Sequence, residues 1–272
     1  MPASSETTSE VASETRGAAI EVEGLRKTYD LKGGEQFTAV EDATFSVAPG
    51  EFVALIGPSG CGKSTILKIA AGLIDSTAGT VLIGAEPPKA GRRDLGIMLQ
   101  RAVMLPWRTV TENVELPAAL AGEDAQRRRA RALEVLDLVG LSRVADAYPS
   151  ELSGGMQQRA ALARTLSYRP RTLLMDEPFG ALDELTRERL NIEVAEIQST
   201  LGATTILVTH SVQEAVFMAD RILVMASNPG RILGEVVVDL PRPRRSELAE
   251  TPAFLTASKR ARQLIGIEHA HD

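Results

Sequence analysis

FVALIGPSGCGKSTILKIAAGLI, residues 52–74, carries the architecture of this chain in one stretch. The first five residues are apolar throughout, as in a strand buried on both faces, and the last eleven are dominated by helix formers. Between them Gly57, Pro58, Ser59, Gly60, Cys61, Gly62, Lys63, Ser64 and Thr65 satisfy the pattern G-x-x-x-x-G-K-[ST]. Glycines let the backbone curl until successive N–H groups point inward, where phosphate oxygens fit. The start of the helix adds roughly half a positive charge behind them. Lys63 is placed to reach the outer phosphates of a nucleoside triphosphate such as ATP, and the Ser64 hydroxyl to ligate Mg²⁺.

Outward from this loop, short aliphatic and β-branched runs recur: AIEVEGL, ATFSV, GTVLIG, LGIMLQ, RTLLMD, TTILVTH, RILVMA and EVVVDL. TLLMD and TILVTH are apolar almost throughout, which predicts strands covered on both faces of a mainly parallel sheet. The fold class is α/β. The early strands alternate polar and apolar residues, as an antiparallel subsheet would. From about residue 101 to 168 the strand signal gives way to helix formers, a helical insertion in the α/β core. Within it Leu133, Leu136, Val139 and Gly140 are expected on one helix face. The preceding Arg127, Arg128, Arg129 and Arg131 are read as a solvated face, with a phosphate patch as the weaker alternative because no aromatics interleave.

A triphosphate needs metal before its outer phosphoryl group can leave. RTLLMDEPFGALDE supplies the acids: Asp176 at a strand end for Mg²⁺, and Glu177 next to it to polarise a water. His210 closes the next strand and Gln100 ends LGIMLQ, both at strand carboxyl ends, where ligands sit in open α/β sheets. Gln100 can reach metal or water with its amide. A second glycine turn lies in ELSGGMQQR, residues 151–159. There Ser153 is a candidate N-cap, with Gly154 and Gly155 opening a helix to about Tyr168: a second anion-binding helix start.

The formal net charge of −6 argues against nucleic acid as a partner, since a basic surface would be its footprint. The only cysteine is Cys61, so no intrachain disulfide framework exists. The opening residues, MPASSETTSEVASETRG, are rich in Ser, Thr and Glu and are expected to be a disordered tail over residues 1–18. No apolar run approaches the ~18 residues a membrane span needs, so a membrane role is expected to pass through a partner.

Taken in order, these motifs resemble the nucleotide-binding subunits of ATP-binding-cassette transporters, along nearly the whole chain after residue 18. The resemblance implies a P-loop NTPase core over residues 19–240, with an antiparallel β subdomain and a helical subdomain at about residues 101–168. A C-terminal tail with a helix follows over residues 241–272. It implies ATP and Mg²⁺ as ligands, with the metal on Ser64, Gln100 and Asp176. Tyr29 matches the adenine platform, and Glu177, His210 and Gln100 match the catalytic set. Ser153, Gly154, Gly155 and Gln157 fall in the family signature, and Asp183 in the interface loop GALD. In the family the signature faces the γ-phosphate of the opposite subunit, which makes the chain half of an ATPase dimer, with itself or with a related subunit.

AVMLPWRTVTENV, DELTRERL, ASNPGRI and LPRPR further resemble the ATPases of nitrate, sulfonate and taurine importers, a group that also includes importers of pyrimidines and aromatic acids. VLIGAEPPKAGRRDLG departs from the usual pattern. The implied partners are transmembrane permease subunits and, through them, an extracytoplasmic solute-binding protein. The implied location is the cytoplasmic face of the cell membrane, held there peripherally through the permease. Met104, Leu105, Pro106 and Trp107 are read either as helical-subdomain core or as a groove for a permease helix. Soluble cassette proteins acting on ribosomes or DNA, exporter ATPases and P-loop phosphotransferases are the alternatives.

Overall fold

In a computed structural model describing residues 17–269, the apolar runs become two sheets. β3 (Phe52–Ile56), β6 (Thr172–Asp176) and β7 (Thr204–Val208) are buried at every position. Successive side chains of β3 leave opposite faces: Phe52, Ala54 and Ile56 enter one apolar cluster, Val53 and Leu55 the other. Burying a Leu or Ile this fully contributes about 1.5–3 kcal/mol each, so the central strand is fixed from both sides.

The core sheet runs β5–β6–β7–β3–β8–β9, with β5 at Leu95–Met98, β8 at Arg221–Ala226 and β9 at Arg231–Val237. Every pairing is parallel except β8 with β9. The final strand was expected over EVVVDL but starts earlier, at Arg231, because it closes a hairpin on β8. The second sheet is antiparallel, β2–β1–β4, from Gln36–Val47, Ile20–Asp30 and Ala78–Ile83.

Between β5 and β6 the described chain forms helices α2 (Val110–Leu120), α3 (Ala125–Leu138) and α4 (Gly154–Leu166). α2 begins at a capping box: Thr109 Oγ1 accepts from Glu112 N–H, and Glu112 Oε2 accepts from Thr109 N–H. On α3 the buried face is Ala132, Val135 and Leu136, with Val139 at its end, whereas Leu133 is 42% exposed. The stripe expectation is therefore wrong at Leu133, which sits about 100° round the helix from Ala132, and at Gly140, which is exposed beyond the helix end. Three of the four arginines before Leu133 are held in ion pairs, Arg128 and Arg129 with Glu115, Arg129 also with Asp146, and Arg131 with Glu123, while Arg127 is exposed.

The remaining helices are α1 (Lys63–Ala70), α5 (Glu184–Leu201), α6 (Val212–Met218) and α7 (Pro252–His269). None of the described helices is long and apolar enough to cross a membrane. Of the expected tail, residues 1–16 lie outside the described residues. Gly17 is packed, donating its N–H to Gly202 O at 2.8 Å.

LPRPR fastens the C-terminal segment to the sheet. Asp220 Oδ2 accepts from Phe52 N–H at 3.0 Å, and Oδ1 from Arg242 Nη2 at 2.8 Å, with Arg244 Nη2 at 3.6 Å. Arg244 is fully buried and donates to Ala219 O at 3.0 Å. Burial, then the charge of Arg242, lowers its pKa to about 10, while Asp220 opposes the fall. Asp220→Ala removes the acceptor of a core-strand N–H and the one acid beside a buried cation. A loss of about 2–4 kcal/mol is expected in urea unfolding, and Asp220→Asn, which keeps an acceptor, is expected to lose less.

Candidate functional site

Parallel pairing brings the carboxyl ends of β5, β6, β7 and β3 to one edge of the sheet. Asp176 ends β6, and Gln100, His210 and the glycine loop follow the ends of β5, β7 and β3. Gly62 has φ 91° and precedes α1. A Cβ there would fall 2.5 Å from Ala39 O and 2.7 Å from Val40 Cγ2, so β2 leaves no room for a side chain. Gly60 has φ 82° and open space where a Cβ would stand, on the exposed side of the loop. Lys63 is 6% exposed, and its Nζ donates to Gly57 O and Pro58 O, both at 2.8 Å. Its ammonium therefore lies within the loop. Cys61 is buried, with Sγ 3.5 Å from Lys63 Nζ; Ser59 is exposed, and Thr65 is half-buried on α1.

Ser64 Oγ donates to Asp176 Oδ1 at 2.9 Å. Burial pushes the Asp176 carboxyl above its ordinary pKa. The Ser64 hydrogen bond lowers it, the Glu177 charge raises it, and Lys68 and Lys63 lower it. A hydroxyl beside one buried carboxylate is an oxygen-only donor set that suits Mg²⁺, which takes one or two carboxylates and fills its remaining positions with water and phosphate. No group of three or more His, Cys, Asp or Glu gathers into a metal cage among the described residues.

Glu177 stands in the left-handed region, φ 47°, a conformation that non-glycine residues adopt at some cost. Three backbone bonds hold it: its N–H donates to Val208 O at 2.8 Å, and its carbonyl accepts from Gly180 N–H at 3.2 Å and Gln158 Nε2 at 2.9 Å. Its carboxylate receives Gln100 Nε2 at 3.2 Å on one oxygen and lies 3.4 Å from His210 Nδ1 on the other. The His210 side chain is 65% exposed and Glu177 24%. The three side chains read at separate strand ends thus form one cluster, open to one side.

Ser153 caps α4, its Oγ accepting from Met156 N–H at 3.3 Å, and nothing stands within 4 Å of where a Cβ on Gly154 would be. Gly155 approaches the loop after β6, its Cβ position 3.3 Å from Ala181 O. Gln157, expected at the nucleotide, has Nε2 donating to Pro149 O at 2.9 Å and Leu152 O at 3.4 Å, bonds that shape the turn before α4. Asp183 lies outside the Gln100–Glu177–His210 cluster. Its Oδ1 caps α5 by accepting from Thr186 N–H at 3.0 Å, and hydrogen bonds to Thr186 hold its pKa below the ordinary value. Tyr29 is half-buried on β1 opposite Phe37, with Lys27 Nζ 5.0 Å from its ring centroid. Phe37 stands two positions along β2 from Ala39, the residue that crowds Gly62.

The sequence reading passed over Gln158. It is 5% exposed, and while its Nε2 holds the Glu177 carbonyl, its Oε1 accepts from Ala181 N–H at 3.1 Å. The available signal was a second glutamine one position, hence about 100°, further round the helix than Gln157. Glu214 was also missed: Oε2 accepts from Thr209 Oγ1 at 2.5 Å and Oε1 lies 3.4 Å from Arg187 Nε, bracing the turn that carries His210. Ser211-x-x-Glu214, a capping-box spacing, was its signal.

Residues 40–180 match the family model described as ABC transporter. The chain is 42% identical over 239 residues to the nitrate import ATP-binding protein NrtC of Synechococcus elongatus, covering 86% of this chain and 36% of that protein. It is 41% identical over 239 residues to the bicarbonate transport ATP-binding protein CmpC of Synechocystis, with the same two coverages. The chain therefore spans little more than a third of the length of each. Among solved structures it is similar to the dimeric post-hydrolysis state of the ATP-binding cassette MJ0796 bound to ADP and Pi. That likeness has a TM-score of 0.74 and 33% identity, over 82% of this chain and 100% of that one.

Asp176→Asn is expected to raise the Tm of the ligand-free chain while abolishing ATP hydrolysis. The folded pKa of Asp176 is raised, so its charge opposes folding above that pKa and ceases to do so below the unfolded value. The Tm gap between variant and parent should be widest near neutral pH and close as pH falls towards the ordinary carboxylate range.

Proposed function

The chain belongs to the ABC transporter family, and from that premise we propose that it is the ATP-hydrolysing subunit of an importer for a small solute, working as a dimer beneath membrane-spanning permease subunits. As a member of that family it is an ATPase. The observation that carries the proposed roles is the cluster at Glu177, where an acid on a strained backbone meets Gln100 and His210 beside the Ser64–Asp176 pair.

In this reading the glycine loop and Lys63 hold the phosphates, with Tyr29 beneath the base. Mg²⁺, when bound on Ser64 and Asp176 with Gln100 close by, neutralises charge on the phosphates. Glu177 takes the proton of the attacking water as general base. His210 orients that carboxylate from one side and Gln100 from the other. The open side of the cluster supports completion by a second wall of donors, the capped start of α4 at Ser153, Gly154 and Gly155, offered by the other subunit. Asp183, at the start of α5, belongs to the same proposed interface.

Coupling to a permease is supported by the segment after Gln100. Buried Asn113 holds it, with Nδ2 donating to Leu105 O, Arg108 O and Thr109 O, and Oδ1 accepting from Leu105 N–H. On this braced loop Trp107 is 71% exposed, so the core reading fails for it. We assign Trp107, with half-buried Met104 and Leu105 beside it, to a seat for a permease helix, which would hold the chain at the cytoplasmic face of the membrane. The solute is proposed to be a small anion or a related organic acid or pyrimidine; the names of the nitrate and bicarbonate relatives favour a compact anion. It would arrive through an extracytoplasmic solute-binding protein.

Two substitutions test this scheme. Glu177→Gln is expected to keep ATP binding, to lower turnover by about 10²–10⁴-fold, and to accumulate an ATP-dependent dimer in size-exclusion chromatography. Turnover at the parent rate would remove Glu177 from the base role. Ser153→Arg should leave nucleotide binding by the monomer intact and cut hydrolysis by at least about 10²-fold; loss of ATP binding itself would place the signature in the same chain's pocket.

A further inference from the structure

Behind the His210 turn lies a cavity of about 720 Å³ that the nucleotide chemistry does not use. Three helices wall it, together with Ser246 and Ala249 of the short helical turn Ser246–Glu250. α6, which begins two residues after His210, contributes Glu214 and Phe217; α5 contributes its first two turns; α7 contributes its first three. The size is that of a small-molecule pocket.

Its charges are sorted by wall. On α5, Glu184, Glu188 and Asn191 follow one another at helical spacing along the cavity face, and Arg187 between them is paired with Glu214. On α7, Phe254, Ser258 and Arg262 form a matching stripe, with Lys259 beside it. The acids and cations that are not paired within the cavity thus stand on different walls, and the buried rings of Phe217 and Phe254 also line it.

Each wall also carries an unsatisfied polar atom. Asn191 is 7% exposed and its Oδ1 has no partner; Ser258 is 4% exposed and its Oγ has none. Buried polar groups are nearly always hydrogen-bonded, so two orphans on residues that line one cavity require an explanation. The acceptor is on the acidic wall and the hydroxyl on the basic wall. Both atoms are screened from solvent, so a rotation of each side chain accompanies any contact with an occupant.

We propose that this cavity is a regulatory site for a zwitterion with an apolar body, specifically an α-amino acid with an apolar side chain. Its ammonium faces Glu184, Glu188 and Asn191 Oδ1, its carboxylate faces Lys259, Arg262 and Ser258 Oγ, and its side chain lies on Phe217 and Phe254. An occupant pins α6 against α5, and Glu214 links α6 to Thr209, the residue before His210. Occupancy therefore bears on the arm that positions His210. The regulatory part rests on the proposed role of His210; the binding part does not.

The experiment is a thermal-shift and calorimetric titration of the full chain with leucine, methionine and phenylalanine at millimolar concentration, each beside its decarboxylated amine and its deaminated acid. At least one amino acid is expected to raise Tm by about 2 °C or more, with neither truncated analogue doing so. The exposed substitutions Arg262→Glu and Glu188→Lys should each weaken that binding at least about tenfold while leaving basal ATP hydrolysis unchanged. Absence of binding by all three amino acids, equal binding by the amines or acids, or undiminished binding in both variants would overturn the site. Binding that leaves the ATPase rate unaltered would overturn the regulatory role alone.

Discussion

The hydrogen bond from Ser64 to Asp176 joins the helix that follows β3 to the end of β6; the two strands do not touch, since β7 lies between them. It exists only because all three are parallel, buried and in register, so that one sheet edge collects the start of α1, the acid at the end of β6 and, from the strand between, the turn bearing His210. The cost of this arrangement is a carboxylate held out of water. The site tolerates it because a hydroxyl and two lysines stand close by. Oxygens gathered in a place that disfavours bare negative charge are the donor set proposed above for Mg²⁺.

The strands and the glycine loop were legible because their signals are local. Runs such as TLLMD and TILVTH bury on both faces regardless of their neighbours, and G-x-x-x-x-G-K-[ST] between a strand and a helix has one sensible shape. Strand-end residues were legible for the same reason: the rule that ligands gather at carboxyl ends needs only the strands. What escaped were side chains whose partners lie elsewhere in the chain. Gln158 looks like any polar helix residue until the loop after β6 folds against it. Leu133 looks like core until the packing angle of α3 selects Ala132 and Val135 instead. Trp107 was divided between core and groove because composition does not reveal that Asn113 braces its loop outward.

The same distinction separates the two arginine groups. Of those at the start of α3, Arg127 is exposed and the other three are spent on Glu115, Asp146 and Glu123 near the surface, as the solvated-face reading expected. Arg244, by contrast, is fully buried near a single acid, and it fastens the segment leading to α7. No local pattern in LPRPR distinguishes an anchoring arginine from a surface one; that difference is made by Asp220, more than twenty positions earlier.

Gln158 carries a consequence of a different kind. One amide holds the carbonyl of the strained Glu177 and the N–H of Ala181, so the start of α4 and the backbone of Glu177 are geared together. Few side chains can replace it. Glutamate offers no donor, asparagine falls one methylene short, and leucine leaves both peptide groups orphaned. Substitution at position 158 is thereby restricted by the geometry of two peptide groups in a neighbouring loop.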